Sequence, residues 1–177
     1  MKKLVTLMLL LLTCAVAEAN PIVLIGDSRF VGMSMAVDTE DVCWVCEGGV
    51  GAAYYDAVRD DIARLPRTAT VVYNLGVNGL DVDGNLANLA DLVNLGFADV
   101  VFATVTPVDD ENAAAYGYDV TDADVRAYNA AVLAKLPPGV RVIDAHAALW
   151  AEGFNASDGL HYDAATSQFL FNLLTRR

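Results

Sequence analysis

Four short stretches of this chain carry residue types that chemistry can use. Gly26-Asp27-Ser28 offers a hydroxyl, Gly48-Gly49-Val50-Gly51 an accessible main chain, Gly76-Val77-Asn78 a side-chain amide, and Asp158-Gly159-Leu160-His161 an acid beside a base. These are the parts of an acyl-transfer centre. A serine hydroxyl is a weak nucleophile until a neighbouring base takes its proton. His161 can be that base, and Asp158, three residues earlier, can turn back to hold the imidazole in the required tautomer. The main-chain N–H groups of Ser28 and Gly51 and the Asn78 amide can converge on a developing oxyanion. Within the glycine block Gly51 is preferred because it begins the next helix, with Gly49 as the alternative.

Each stretch has a plainer explanation when taken alone. Ser28 can be a helix N-cap, the glycines can permit a tight turn, Asn78 can cap another, and Asp158-Gly159 is an ordinary turn signal. What weighs against the plain readings is where the four stretches fall. Apolar runs of strand length occupy residues 22–25, 42–46, 70–75, 99–105 and 140–143. They are continuous rather than alternating, as strands buried on both faces require. Helical spacing separates them at 52–65, 86–95, 121–136 and 163–174. The third of these opens on Thr121 and Asp124 in capping-box order and stops at Pro137-Pro138-Gly139. Alternation of this kind predicts an α/β fold with a five-stranded parallel sheet, helices on both faces and right-handed crossovers. In such sheets ligands meet the loops at the carboxyl ends of the strands. Three of the four stretches lie there, and the fourth stands just before the last helix.

On these residues the chain resembles the SGNH (GDSL-type) hydrolases: GDS at 26–28, a glycine block at 48–51, GVN at 76–78 and DGLH at 158–161, in that family's order. The resemblance implies a three-layer α/β/α flavodoxin-like fold and a serine esterase acting on carboxylic esters through an acyl-enzyme, with no cofactor and no metal. It assigns Ser28 as nucleophile, Asp158 and His161 as the other triad members, and Gly51 and Asn78, with the Ser28 N–H, as oxyanion-hole donors. Short-acyl groups on glycans, such as O-acetyl, are among the substrates it allows. Two positions depart from the pattern. Arg29 follows the serine where Leu is common, and Gly79 follows Asn78 where Asp is frequent. Arg29, Phe30, Tyr54 and Tyr55 are candidates for lining the substrate site, as is the long segment 107–120 after the fourth strand. A non-catalytic carbohydrate- or envelope-binding module and an acyltransferase are the alternatives.

The remaining features set limits. The chain has 177 residues, room for one domain with one sizeable core. A net charge of −12 argues against nucleic acid as a partner. Lys2 and Lys3, an apolar run from 4 to 17, and Ala17-Glu18-Ala19 read as a secretory signal rather than a spanning helix. Cleavage near Ala19 would remove 19 of 177 residues, leaving a domain of 20–177. Loss of Lys2, Lys3 and Glu18 would take the charge from −12 to −13. The expected location is therefore secreted or cell-envelope, with membrane contact only during export. Much of the positive mean hydropathy, +0.39, is then a removable leader.

Neither a G-x-S-x-G elbow nor a P-loop lysine is present. Cys43 and Cys46 sit inside one predicted strand, where residues three apart face opposite sides, so they read as two separate thiols rather than a disulfide or zinc pair. His146, the other histidine, has no acid at the spacing of Asp158 and reads as structural, with Asp144 anchoring its loop.

Overall fold

A computed structural model describes residues 20–39 and 42–176; the expected export signal at 1–19 lies outside the described residues. The elements run β1 (Ile22–Gly26), α1 (Ser28–Ala36), β2 (Val42–Cys46), α2 (Tyr54–Ile62), β3 (Thr70–Asn74), α3 (Val82–Asn94), β4 (Asp99–Ala103), α4 (Asp110–Tyr116), α5 (Asp122–Leu133), β5 (Val140–Ile143), α6 (Ala145–Glu152) and α7 (Ala164–Leu174). All strand pairings are parallel, in the order β2-β1-β3-β4-β5. The order reverses at β1, which places the first strand between the second and third. Gly26 of β1 stands level with Cys46 of β2 and Asn74 of β3, so the three loops that follow leave from one rim.

Side-chain alternation divides the interior into two cores. Val23, Ile25, Val71, Tyr73, Val100 and Phe102 face α2, α3 and α5, against Tyr55, Ile62, Leu89, Leu92, Val125 and Val132. Ile22, Leu24, Val72, Val101 and Ala103 face the other way, onto Phe30 and Met33 of α1, Leu149 of α6, and Leu170 and Leu174 of α7. Val23, Leu24 and Ile25 are fully buried, and burying each such side chain contributes about 1.5–3 kcal/mol. This is the three-layer α/β/α arrangement with five parallel strands that the apolar runs predict.

Continuous burial holds for β1, β3 and β4 but not for the edges. Of β2 only Cys43 is buried, and Arg141 and Val142 of β5 are exposed. Each edge strand has one neighbour and incomplete cover. Cys43 belongs to one core and Cys46 packs against the other, and no disulfide joins them.

Three helices lie where the spacing predicts none. α1 begins directly at Ser28 and α6 spans only eight residues. α4 fills much of segment 107–120, which reads as irregular from sequence. Asp109 caps it by accepting from the Asn112 N–H, and Gly117 ends it in the left-handed region at φ 82°. α3 starts four residues before the predicted 86, where the Asp81 carboxylate accepts from the Gly84 N–H. The predicted capping box of α5 is present, with Thr121 and Asp124 each bonded to the other's main chain. Asp163 likewise caps α7.

Candidate active site

The turn after β1 is set by two residues. A Cβ on Gly26 would lie 2.4 Å from the Phe30 ring, so only glycine lets α1 fold back this closely on the strand. Asp27 then caps α1, its carboxylate accepting from the Arg29 N–H at 3.0 Å. Ser28 is thereby the first residue of a helix, its hydroxyl at the rim of the sheet. Its Oγ lies 2.9 Å from His161 Nε2, and His161 Nδ1 lies 2.6 Å from Asp158 Oδ2.

The 158–161 turn is tied by its own acid. Asp158 Oδ1 accepts from the main-chain N–H groups of Leu160 at 3.0 Å and His161 at 2.8 Å, which leaves Oδ2 for the ring. Partial burial pushes the Asp158 carboxyl up, but the His161 N–H and ring and the Leu160 N–H outweigh it and hold the group at about 2. An ionised carboxylate only accepts hydrogen bonds, so Nδ1 carries the proton it receives. In a neutral ring Nε2 is then the acceptor facing the serine hydroxyl. Tyr118 flanks this pair, its ring edge-on to the imidazole at 6.5 Å and its hydroxyl 3.5 Å from Asp158 Oδ2. Burial and the adjacent Asp158 raise the Tyr118 phenol, so it is a neutral donor at neutral pH.

Ser28 and His161 open onto a cleft of about 520 Å³ lined also by Gly49, Asn78, Tyr118, Asp119 and Leu160. Val77, Leu80 and Val120 supply apolar wall. The Asn78 amide donates one N–H to Val50 O at 2.9 Å, which fixes the plane of the side chain on the glycine block. The structure places Gly49, not Gly51, on the cleft. Gly51 serves from behind, since a Cβ there would lie 2.4 Å from Asn78 O. Its lack of a side chain is what lets the loop bearing Asn78 approach.

The other expected lining residues are corrected. Arg29 is only 3% exposed, with its guanidinium turned inward onto main-chain carbonyls. Phe30 belongs to the core under α1. Tyr55 is buried on α2, bonded through its hydroxyl to Asp91, and Tyr54 packs against the same core away from the cleft lining. The side chains of Arg29, Phe30 and Tyr55 thus point into the fold. In their place Tyr118, Asp119 and Val120 line the cleft, at the end of the segment expected to border it.

His146 has an acid partner after all, although not a local one. Its Nε2 lies 2.9 Å from Asp122 Oδ1 at the start of α5, and its ring stacks on Trp150. Thr104 Oγ1 bonds the His146 N–H and Asp144, which caps α6, so the histidine joins α5 to α6. A partner 24 residues away gives no sequence spacing to detect.

No family model matches the chain, and no curated protein matches it. Solved structures do. A Slackia heliotrinireducens protein described as an SGNH hydrolase superposes with a TM-score of 0.70 at 19% identity, covering 89% of this chain and 97% of that one. A lipase/acylhydrolase from Enterococcus faecalis gives 0.62 at 15% identity, covering 88% and 93%. The acetyl xylan esterase AlAXEase gives 0.62 at 16% identity, covering 87% and 97%. Each match covers most of both chains, and the chain has the fold of the SGNH hydrolases.

Proposed function

We propose that this protein is an exported serine esterase that hydrolyses carboxylic esters through an acyl-enzyme. The observation that carries the reading is the unbroken line Ser28 Oγ, His161 Nε2, His161 Nδ1, Asp158 Oδ2 at the edge of an open cleft. Ser28 Oγ attacks the ester carbonyl while its proton passes to Nε2. Asp158 stabilises the imidazolium that forms. The oxyanion is received by the Ser28 N–H at the start of α1, the Asn78 amide and the glycine block. His161 then protonates the departing alkoxide, and water, deprotonated by the same nitrogen, releases the acid.

The cleft also bears on the substrate class. Polar Asn78, Tyr118 and Asp119 and apolar Val77, Leu80 and Val120 together line a space open to solvent. That combination suits a short acyl group on a hydroxyl-rich alcohol such as a glycan, and the acetyl xylan esterase of the same fold acts within this class by its name. The leader-like residues 1–19 support export.

A serine-reactive fluorophosphonate probe tests the reading directly. The wild-type protein is labelled at Ser28 and hydrolyses p-nitrophenyl acetate, whereas Ser28→Ala does neither while keeping the wild-type circular dichroism spectrum. Absence of labelling in the wild type refutes the esterase and favours a carbohydrate-binding module.

A further inference from the structure

Arg29 is a buried guanidinium whose bonds all go to neutral acceptors. Its Nε donates to Leu160 O at 3.1 Å, one terminal nitrogen to Thr106 O at 2.7 Å and Thr106 Oγ1 at 2.8 Å, and the other to Pro107 O at 3.3 Å. The group also sits over the Tyr162 ring, 5.4 Å from its centroid, and the Tyr162 hydroxyl donates to Pro107 O. Among the described residues no carboxylate forms a salt bridge with it, although the charge of Arg29 opposes the effect of burial on Asp27. Keeping a cation in the interior on such terms is costly. An apolar side chain of similar length would fill the same space without that cost.

The connectivity of these bonds gives the charge a purpose. Arg29 is the residue after Ser28, Leu160 the residue before His161, and Tyr162 the residue after it. One side chain therefore spans from the neighbour of the hydroxyl to both neighbours of the imidazole, across 131 positions of sequence. Thr106 and Pro107, beyond the end of β4, supply a fixed third point. The guanidinium is planar and rigid, so its donors hold Leu160 and the 106–107 segment at set distances from the Ser28 turn, which a single flexible ammonium does not.

We propose that Arg29 is a positioning residue: it clamps the 158–161 turn to the Ser28 turn and so sets the Ser28 Oγ to His161 Nε2 separation. This rests on the esterase reading for its kinetic consequence but not for its structural one. A displacement of about 1 Å at a reacting pair costs on the order of 100-fold in rate. Arg29→Met keeps the bulk of the side chain and removes every donor; Arg29→Lys keeps the charge and one bonding point.

The experiment compares both variants with wild type and Ser28→Ala, each at a temperature well below its own melting midpoint. Arg29→Met is expected to lower kcat on p-nitrophenyl acetate and the rate of fluorophosphonate labelling together by about 100-fold, with KM nearly unchanged. Arg29→Lys is expected to fall between it and wild type. In imidazole-selective NMR spectra the His161 signals of Arg29→Met should move as they do in Ser28→Ala, where the hydroxyl contact is gone. Because that readout needs no turnover, it separates this proposal from the esterase reading: a wild type that neither labels nor hydrolyses removes the latter alone. A folded Arg29→Met, or a folded Arg29→Lys should the former not fold, with wild-type His161 signals overturns the clamp. So does wild-type kcat in an active protein.

Discussion

Gly159, between the acid and the base of the site, lies directly against Ala113 of α4: a Cβ on it would stand 2.2 Å from the Ala113 nitrogen and 2.5 Å from its Cα. Its φ is 86°, in the region that disfavours a side chain. The obstructing atoms are main chain in a capped helix and cannot swing aside. Gly159→Ala should therefore shift the 158–161 turn, lowering stability by about 1–3 kcal/mol and kcat by about 100-fold. Urea unfolding and ester kinetics measure the two losses; wild-type kcat in this variant would show that α4 does not fix the turn.

Asp158 combines two duties, holding the turn and holding the ring. Asp158→Asn retains the size but loses the charge and offers an amide where Nδ1–H needs an acceptor. A fall in kcat of about 10⁴ is expected, from the wrong tautomer and the unstabilised imidazolium. Its folded pKa of about 2 lies below the ordinary carboxyl value of ~3.9. The associated stability is thus present above pH ~4 and disappears as pH falls toward 2. Chemical unfolding followed from pH 5 to 2 should show a shallower acid decline in Asp158→Asn than in wild type, and equal slopes would contradict the assignment.

Asp27 should behave in the opposite sense. Burial raises its pKa, against the charges of Arg29 and His161 and the Arg29 N–H, so the folded state binds this proton more tightly than the unfolded chain does. Its contribution to stability is then greatest at low pH and diminishes as pH rises from ~3.9 through the raised folded value. Asn caps helices about as well as Asp. Asp27→Asn should consequently gain stability relative to wild type on going from pH 3 to pH 7. A difference that stays constant, or changes in the other direction, would mean that burial does not raise the Asp27 pKa in the folded protein.

Tyr118 tests whether the wall of the cleft selects substrates. Its hydroxyl contact with Asp158 is long, at 3.5 Å, and the residue is exposed, so Tyr118→Phe should change kcat by about threefold at most. Tyr118→Ala removes the ring beside His161 and widens the cleft. The ratio of kcat/KM for hexanoate over acetate p-nitrophenyl esters should then rise by roughly tenfold. An unchanged ratio would place acyl selection elsewhere in the cleft.

The sheet was readable because its strands are continuous apolar runs, and the site because Ser28, Asn78 and His161 each follow or precede an element at the same rim. Less readable were the short helices. α1 has a sequence, Ser28-Arg29-Phe30-Val31-Gly32-Met33, whose helical character comes from the Asp27 cap and from packing of Phe30 and Met33 rather than from propensity. The direction of Arg29 was opaque for a related reason. A charged residue beside a nucleophile suggests contact with substrate, whereas its actual acceptors are carbonyls that only the fold assembles. The Asp122–His146 pair and the exchange of Gly51 for Gly49 on the cleft likewise depend on distances between loops that no spacing records.

The place of β1 at the turning point of the sheet has a temporal consequence. The serine turn is among the first parts of the domain to be synthesised, and His161, which contacts the Ser28 hydroxyl, comes more than 130 positions later. On the proposed esterase reading a growing chain carries an inert hydroxyl until β3 has paired with β1, β4 with β3 and β5 with β4, and the 158–161 turn has settled against α4. On that reading reactivity is the last property the chain acquires, and it arrives together with the finished fold.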